Sequence, residues 1–380
     1  MTWRRYLQSR TRNPQFLWRM VIAILAAGVA VGLVVDRATE PWLENLSAEA
    51  EPDDPQSEPD APHAGRLDDL ASARQWRALW WAIPPSMLEA YREFPGATAL
   101  AAMTGVCWLA FALQAIQPPS TRDARAWAPI VAVLLGIASI WPTMFLIYWQ
   151  EQVWGLHEAE DPADSVRFFV LGVGLREELS KLLAFLPLLP LFVRRRDELG
   201  ALLTAGCVGI GFGLEENVSY IIGSVASDAV GRMLISVPLH MAMTGLIGLA
   251  AYRACVWPKE WAPQLLAVFG VIVLAHGIYD VLVATIVAAD YGPLGMLIFV
   301  GLVYQFFREL RPLQKLLVEP VSQTANFLFC LSMVVAATFV YLCAAAGWRG
   351  AADTLAASVA GEAVMVYLFL RQMPEALVKT

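Results

Sequence analysis

Charge is scarce in this sequence. Only 16% of its 380 residues are Asp, Glu, Lys or Arg, while 58% are hydrophobic. A soluble domain carries about 25% charged residues, so the balance excludes that class and leaves an integral membrane protein made mostly of helices. Cysteine is scarce as well. Cys107, Cys207, Cys255, Cys330 and Cys343 lie in or beside separate apolar runs without a CxxC or paired spacing, which excludes a disulfide framework or a zinc knuckle. A basic cluster suited to nucleic acid is missing, so the expected partners are the lipid bilayer and membrane-embedded substrates, with no nucleic acid. Missing too are an HExxH motif, a serine/histidine/aspartate arrangement, a membrane GxSG pattern and an internal repeat. The formal net charge of −7 is local, because one early segment, residues 36–94, sets 13 acidic residues against five basic ones.

What is present is a series of apolar runs. Arg4, Arg5, Arg10, Arg12 and Arg19 precede the run Met20 to Val35. Its length, and the lack of an A-x-A site, read as a retained first span rather than a cleaved signal. Asp36 to Phe94 differs in character. Its part EAEPDDPQSEPDAPHAG is acidic and proline-rich, as expected of a disordered extramembrane loop. Its end carries Trp76, Trp80 and Trp81 and predicts a helix lying at the interface. Further spans are expected near Gly96–Ile116, Trp127–Trp149, Phe168–Val193, Leu199–Gly223, Val230–Tyr252, Ala262–Ala289, Leu294–Phe307, Ala325–Ala346 and Thr354–Leu370. The fold class is thus all-α, a polytopic bundle of about ten transmembrane helices.

The arginine and lysine clusters Arg122/Arg125, Arg194–Arg196, Arg253/Lys259, Arg308/Arg311/Lys315 and Arg371/Lys379 fall in every second connection. The positive-inside rule then puts both termini in the cytoplasm and the acidic loop outside. Five regions follow: a basic segment and first span (1–35), the acidic extracytoplasmic loop with its interfacial helix (36–94), accessory spans (95–167), a four-helix catalytic core (168–289) and C-terminal accessory spans (290–380).

The chain is organised around Leu171 to Leu183, LGVGLREELSKLL, which sets Glu177, Glu178 and Lys181 inside a run long enough to cross a bilayer. Carboxylates at mid-depth are costly, and function is the default reading. On a helix Glu177 and Lys181 share a face, with Glu178 about 100° away. The next run reads AGCVGIGFGLEENVSYIIG, with Glu215, Glu216 and Asn217 after a glycine-rich turn. Gly206, Gly209, Gly211 and Gly213 read as close-packing positions rather than a phosphate loop. His240 follows in ISVPLHMAMTG, and VLAHGIYDVLV places His276 and Asp280 one turn apart. Glu177 and His240 lie about ten residues, or about 15 Å, along their runs from one membrane face. Glu216 and His276 lie at a similar depth, so four antiparallel helices would present one polar layer. Two of only four histidines fall in it.

Such a layer can do acid–base chemistry. A glutamate tuned toward neutral pH takes a proton from water and returns it to a leaving amine, and a histidine or Asn217 could stabilise the oxyanion. Histidine and glutamate are also acceptable zinc ligands.

The chain resembles the PrsW family of intramembrane proteases, related to the CAAX-processing endopeptidases and bacteriocin-processing enzymes. The family's EExxK motif reads Glu177-Glu178-Leu179-Ser180-Lys181, its FxxxE motif reads Phe212 to Glu216, and its HxxxD motif reads His276 to Asp280. The first of these gives two adjacent carboxylates, and the second singles out Glu216 over Glu215. The resemblance spans roughly Phe168 to Ala289. It implies a multi-pass protein of a bacterial plasma membrane that cuts a membrane-anchored protein, such as an anti-sigma factor, at an extracytoplasmic-side site. By analogy Glu177 or Glu178 would be the base, His276 its main partner, Glu216 and Asp280 orienting groups, and Lys181 the group that tunes the pair. His240 is expected in the site, with Asn217 and Tyr279 as secondary candidates. No organic cofactor is expected. A divalent metal such as zinc, if it takes part, would be held by Glu178, Glu216, His240 and His276. The other classes that such buried arrays serve are a proton- or ion-coupled transporter and a non-catalytic scaffold of the same fold.

Overall fold

The structure is a computed structural model that describes residues 6, 9–49, 64–116, 123–158, 161–223, 229–284, 291–314 and 322–373. Among them eight helices are long and apolar enough to cross a membrane. In chain order α1 (Pro14–Glu49), α2 (Ala64–Ser72), α3 (Trp76–Glu93), α4 (Pro95–Ile116) and α5 (Ala124–Trp154) come first. A three-part helical stretch follows: α6 (Pro162–Arg167), a first π-segment (Phe168–Gly174) and α7 (Leu175–Phe185). Then come α8 (Leu189–Arg195), α9 (Glu198–Gly223) and α10 (Ala229–Gly231), with a second π-segment (Arg232–Ser236) leading into α11 (Val237–Val256). The chain continues through α12 (Pro258–Ala284), α13 (Gly292–Leu313), α14 (Gln323–Gly361) and α15 (Ala363–Gln372). This is a polytopic all-helical bundle.

Glycine decides which helices are central. A Cβ on Gly209 would lie 2.2 Å from the His240 carbonyl oxygen, and one on Gly211 would lie 2.0 Å from that of Val133. Helix α9 therefore touches α11 and α5 backbone to backbone, which side chains would forbid. Gly136 of α5 answers from the other side, 2.1 Å from the Val208 oxygen by the same measure. The apolar windows of α9 and of Ala229–Val256 are accordingly 89% buried, against 11% for α1 and 22% for α12. The two inner spans carry Glu216 and His240.

Several predicted spans have different limits. Helix α1 runs on to Glu49, past the expected end at Val35, and packs along α14, where a Cβ on Gly28 would meet that of Ala336. The expected span Phe168–Val193 begins earlier, at Pro162, and breaks over 186–188, where Pro187 and Pro190 interrupt the hydrogen-bond ladder. Helix α14 passes Ala346 with a kink at Gly347 (φ 71°) and ends at Gly361, so Thr354–Leu370 is not one helix. Helix α3 carries Trp76, Trp80 and Trp81 of the expected interfacial segment. It docks on α5, with Leu79 and Ile83 fully buried and Trp141 Nε1 donating to the Trp80 carbonyl at 2.7 Å. The acidic stretch 50–63 lies outside the described residues.

Arginines knit one end of the bundle. Arg125 donates twice to Asp197, Arg195 pairs with Asp123 at 3.3 Å, and Arg253 joins Glu198 of α9 to Glu309 of α13. From that end Glu216 lies 18 residues along α9 and His240 13 residues back along α11, about 27 and 20 Å at helical rise. The polar layer therefore sits in the far half of the bundle. The close contacts give a stability prediction. Gly211→Ala is expected to cost about 1–3 kcal/mol in reversible unfolding from mixed micelles. Gly270→Ala, where a Cβ meets nothing within 4 Å, should stay within about 0.5 kcal/mol of the parent. Equal effects would contradict backbone contact at Gly211.

Candidate active site

Two π-segments set the register of the polar residues. The first ends three residues before Glu177 and the second four before His240, and such widened turns concentrate at functional sites. The first is pressed against α12, since a Cβ on Gly174 would lie 2.7 Å from the Val273 oxygen and one on Gly277 would lie 2.5 Å from Val170 Cα. These two glycines bring the helix bearing His276 and Asp280 against the helix bearing Glu177 and Glu178.

Lys181 is fully buried, and its ammonium has three acceptors: Glu178 Oε1 at 2.9 Å, His240 Nδ1 at 2.9 Å and Glu177 Oε2 at 3.2 Å. It also stands 3.9 Å from the centre of the Phe212 ring. The sequence reading set Glu178 on a separate face from Lys181. In the structure both carboxylates reach the lysine, because residues three and four apart are both neighbours on a helix.

An ammonium has only protons to give, so His240 accepts at Nδ1 and carries its own proton on Nε2. That nitrogen lies 2.6 Å from Glu216 Oε2. The ring fits because position 213 is glycine; a Cβ there would meet His240 Cδ2 at 2.9 Å. Arg232 holds the other oxygen of Glu216 at 3.2 Å, and Asn217 and Ser236 in turn hold Arg232. A second branch runs through His276, whose Nδ1 lies 3.0 Å from Glu178 Oε1. A carboxylate only accepts, so the proton of the neutral ring is on Nδ1. The Nε2 lone pair is then left 3.4 Å from Asp280 Oδ2 and 3.8 Å from Glu177 Oε2.

Glu177, Glu216, His240, His276 and Asp280 line one cavity of about 520 Å³, with Phe168, Tyr220 and Tyr279 among its other walls. Glu177 is 13% exposed and Glu178 not at all. Glu177 thus faces the cavity while Glu178 stands behind His276. All seven residues singled out in the sequence come together here. Glu215 turns away to accept from Tyr91 of α3 at 3.3 Å. Asn217 spends its amide on Thr104 and Arg232, so the oxyanion role considered for it gives way to support of Arg232. Sequence reasoning missed Arg176, Tyr220 and Arg232, all lining the cavity, and Gln150, which holds Arg176. A buried arginine in an apolar run was the available signal.

The donor set suits a divalent cation. One ligand atom each from Glu177, His240 and His276 lie within 4.8 Å of one another, and two imidazoles with a carboxylate form a familiar zinc set. Charge agrees, since among the described residues the cations paired with Glu177, Glu178, Glu216 and Asp280 are Lys181 and Arg232. Of the expected ligands this trio contains His240 and His276, with Glu177 beside them rather than Glu178 or Glu216; Glu178 Oε1 accepts from His276 Nδ1. That contact is the usual outer support of a metal-binding histidine.

Comparison with known proteins agrees with this geometry. A family model described as PrsW family intramembrane metalloprotease matches residues 124–306. Neither the comparison with curated proteins nor that with solved structures finds a match. With its apolar helices the chain is a multi-pass membrane protein, and the stretch 124–306, which holds every side chain of the polar cluster, matches the model of the PrsW family of intramembrane proteases.

Proposed function

We propose that the protein hydrolyses a peptide bond of a membrane-anchored protein substrate with a water activated by Glu177 and His276. The observation that carries this reading is the convergence of Glu177, Glu216, His240, His276 and Asp280 on one buried cavity. Glu177 Oε2 and His276 Nε2 are 3.8 Å apart, so both can reach one water at normal hydrogen-bond lengths of about 2.8 Å. Glu177 takes a proton from that water, the resulting hydroxide attacks the scissile carbonyl, and the proton passes to the leaving amine. Asp280 stands 3.4 Å from His276 Nε2, Glu178 fixes the ring through Nδ1, and the Tyr220 hydroxyl is a donor on the same cavity wall for the developing oxyanion. Lys181 orients Glu177 and Glu178 through its hydrogen bonds to both carboxylates.

In a metal-loaded form Glu177, His240 and His276 would hold the divalent ion, each imidazole presenting a lone pair to it. Such an ion supplies Lewis-acid polarisation of carbonyl and water. The arginine-knitted end faces the cytoplasm in this reading, by the positive-inside rule, so the cavity opens in the outer half of the membrane. Substrates are then proteins with a segment at that level, an anti-sigma factor being one class that the family suggests.

Co-expression with a membrane-anchored reporter tests the chemistry. Glu177→Gln should lower processing by about 100-fold or more, the scale of general-base catalysis. Glu178→Gln should lower it less, and unchanged processing by Glu177→Gln would overturn the mechanism. Zinc titration of the purified protein by calorimetry should find about one site per chain. Glu178→Gln should weaken that site about 10–100-fold; the absence of any zinc site in the parent would contradict the assigned donor set.

A further inference from the structure

Arg176 is a charged side chain of the cavity wall that the mechanism leaves without work. It is 7% exposed and lines the same cavity as Glu177 and His276. Its guanidinium has five donors, yet it makes one hydrogen bond, from Nη1 to Gln150 Oε1 at 3.2 Å, and Nε has no partner. Among the described residues no carboxylate lies within ion-pair distance of it. The arrangement is built, because Gln150 is itself buried and anchored by its amide to the Leu171 carbonyl of the first π-segment at 3.3 Å. A buried, unpaired guanidinium is costly, and its natural complement is an anion brought in from outside.

We propose that Arg176 receives an acidic side chain of the substrate close to the scissile bond, making it a specificity-determining residue. This rests on the peptidase reading. An occupant that reaches Arg176 shares the cavity with Glu177, which favours a polypeptide over a lipid phosphate. The planar fork also matches a carboxylate with two parallel hydrogen bonds.

The test uses the purified full-length protein in phosphatidylcholine nanodiscs. The probes are fluorescent transmembrane peptides carrying glutamate, or glutamine in its place, at successive positions of the outer third. The parent should bind at least one glutamate peptide about tenfold more tightly than its glutamine twin, the scale of one charge-assisted bond. Arg176→Gln should abolish that preference without lowering the unfolding midpoint, and Arg176→Lys should keep part of it. A guanidinium with a purely structural role would instead lower the midpoint and leave the preference intact. Equal binding of every peptide pair by the parent, or a preference that survives Arg176→Gln, would overturn the proposal. So would loss of the parent's preference when phosphatidylglycerol replaces phosphatidylcholine, which would assign the site to a lipid phosphate. Binding is read apart from cleavage, so peptides that are bound selectively but never cut would sink the peptidase reading and leave this one standing.

Discussion

The structure depends on one buried ammonium. Lys181 has no solvent contact, and each of its three protons has a partner: two carboxylates of its own helix and the His240 imidazole of α11. Moving an ammonium out of water costs several kcal/mol unless the geometry returns it. The face of the Phe212 ring adds a further attraction from α9. Three helices are thus committed to one point, where a polar group with a missing partner would be far more expensive than in water.

Two branches leave that point. One passes through His240 to Glu216, then Arg232 and Asn217; the other passes through Glu178 to His276 and Asp280. Each histidine has its tautomer dictated by a group that can only give or only take a proton. The consequence is an asymmetric pair. His240 has both nitrogens engaged, while His276 keeps a lone pair beside Glu177. Backbone packing makes this arrangement reachable, since the glycine contacts of α9 with α11 and of the first π-segment with α12 bring the four helices close enough for side chains to meet. The same packing that holds the bundle together therefore sets the chemistry of the cavity.

Much of this was legible in the sequence, and the reason is energetic. Glu177, Glu178, Lys181, Glu216, His240, His276 and Asp280 stand out because ionisable groups in apolar runs are costly and must share partners. Their common depth follows from helical rise alone. What could not be read was the division of labour between Glu177 and Glu178. Their neighbouring positions differ only in which surface each meets, and that depends on α11 and α12 arriving from elsewhere in the chain. The π-segments were also hidden, because a widened turn has no composition of its own. Arg232 lies near the end of its span, where a long side chain can reach the interface, so it reads as an anchor until Asn217 and Glu216 are seen to hold it. The broken predicted spans, by contrast, carried their signals openly in Pro187, Pro190 and Gly347.

The most direct measurement is a double-mutant cycle between Lys181→Met and His240→Gln, read by reversible unfolding in mixed micelles. If the lysine is the junction of the helices, the two changes are strongly non-additive, with a coupling of about 1–3 kcal/mol. Additivity within about 0.5 kcal/mol would show that α7 and α11 do not meet through this pair, and the convergent site would fall with it.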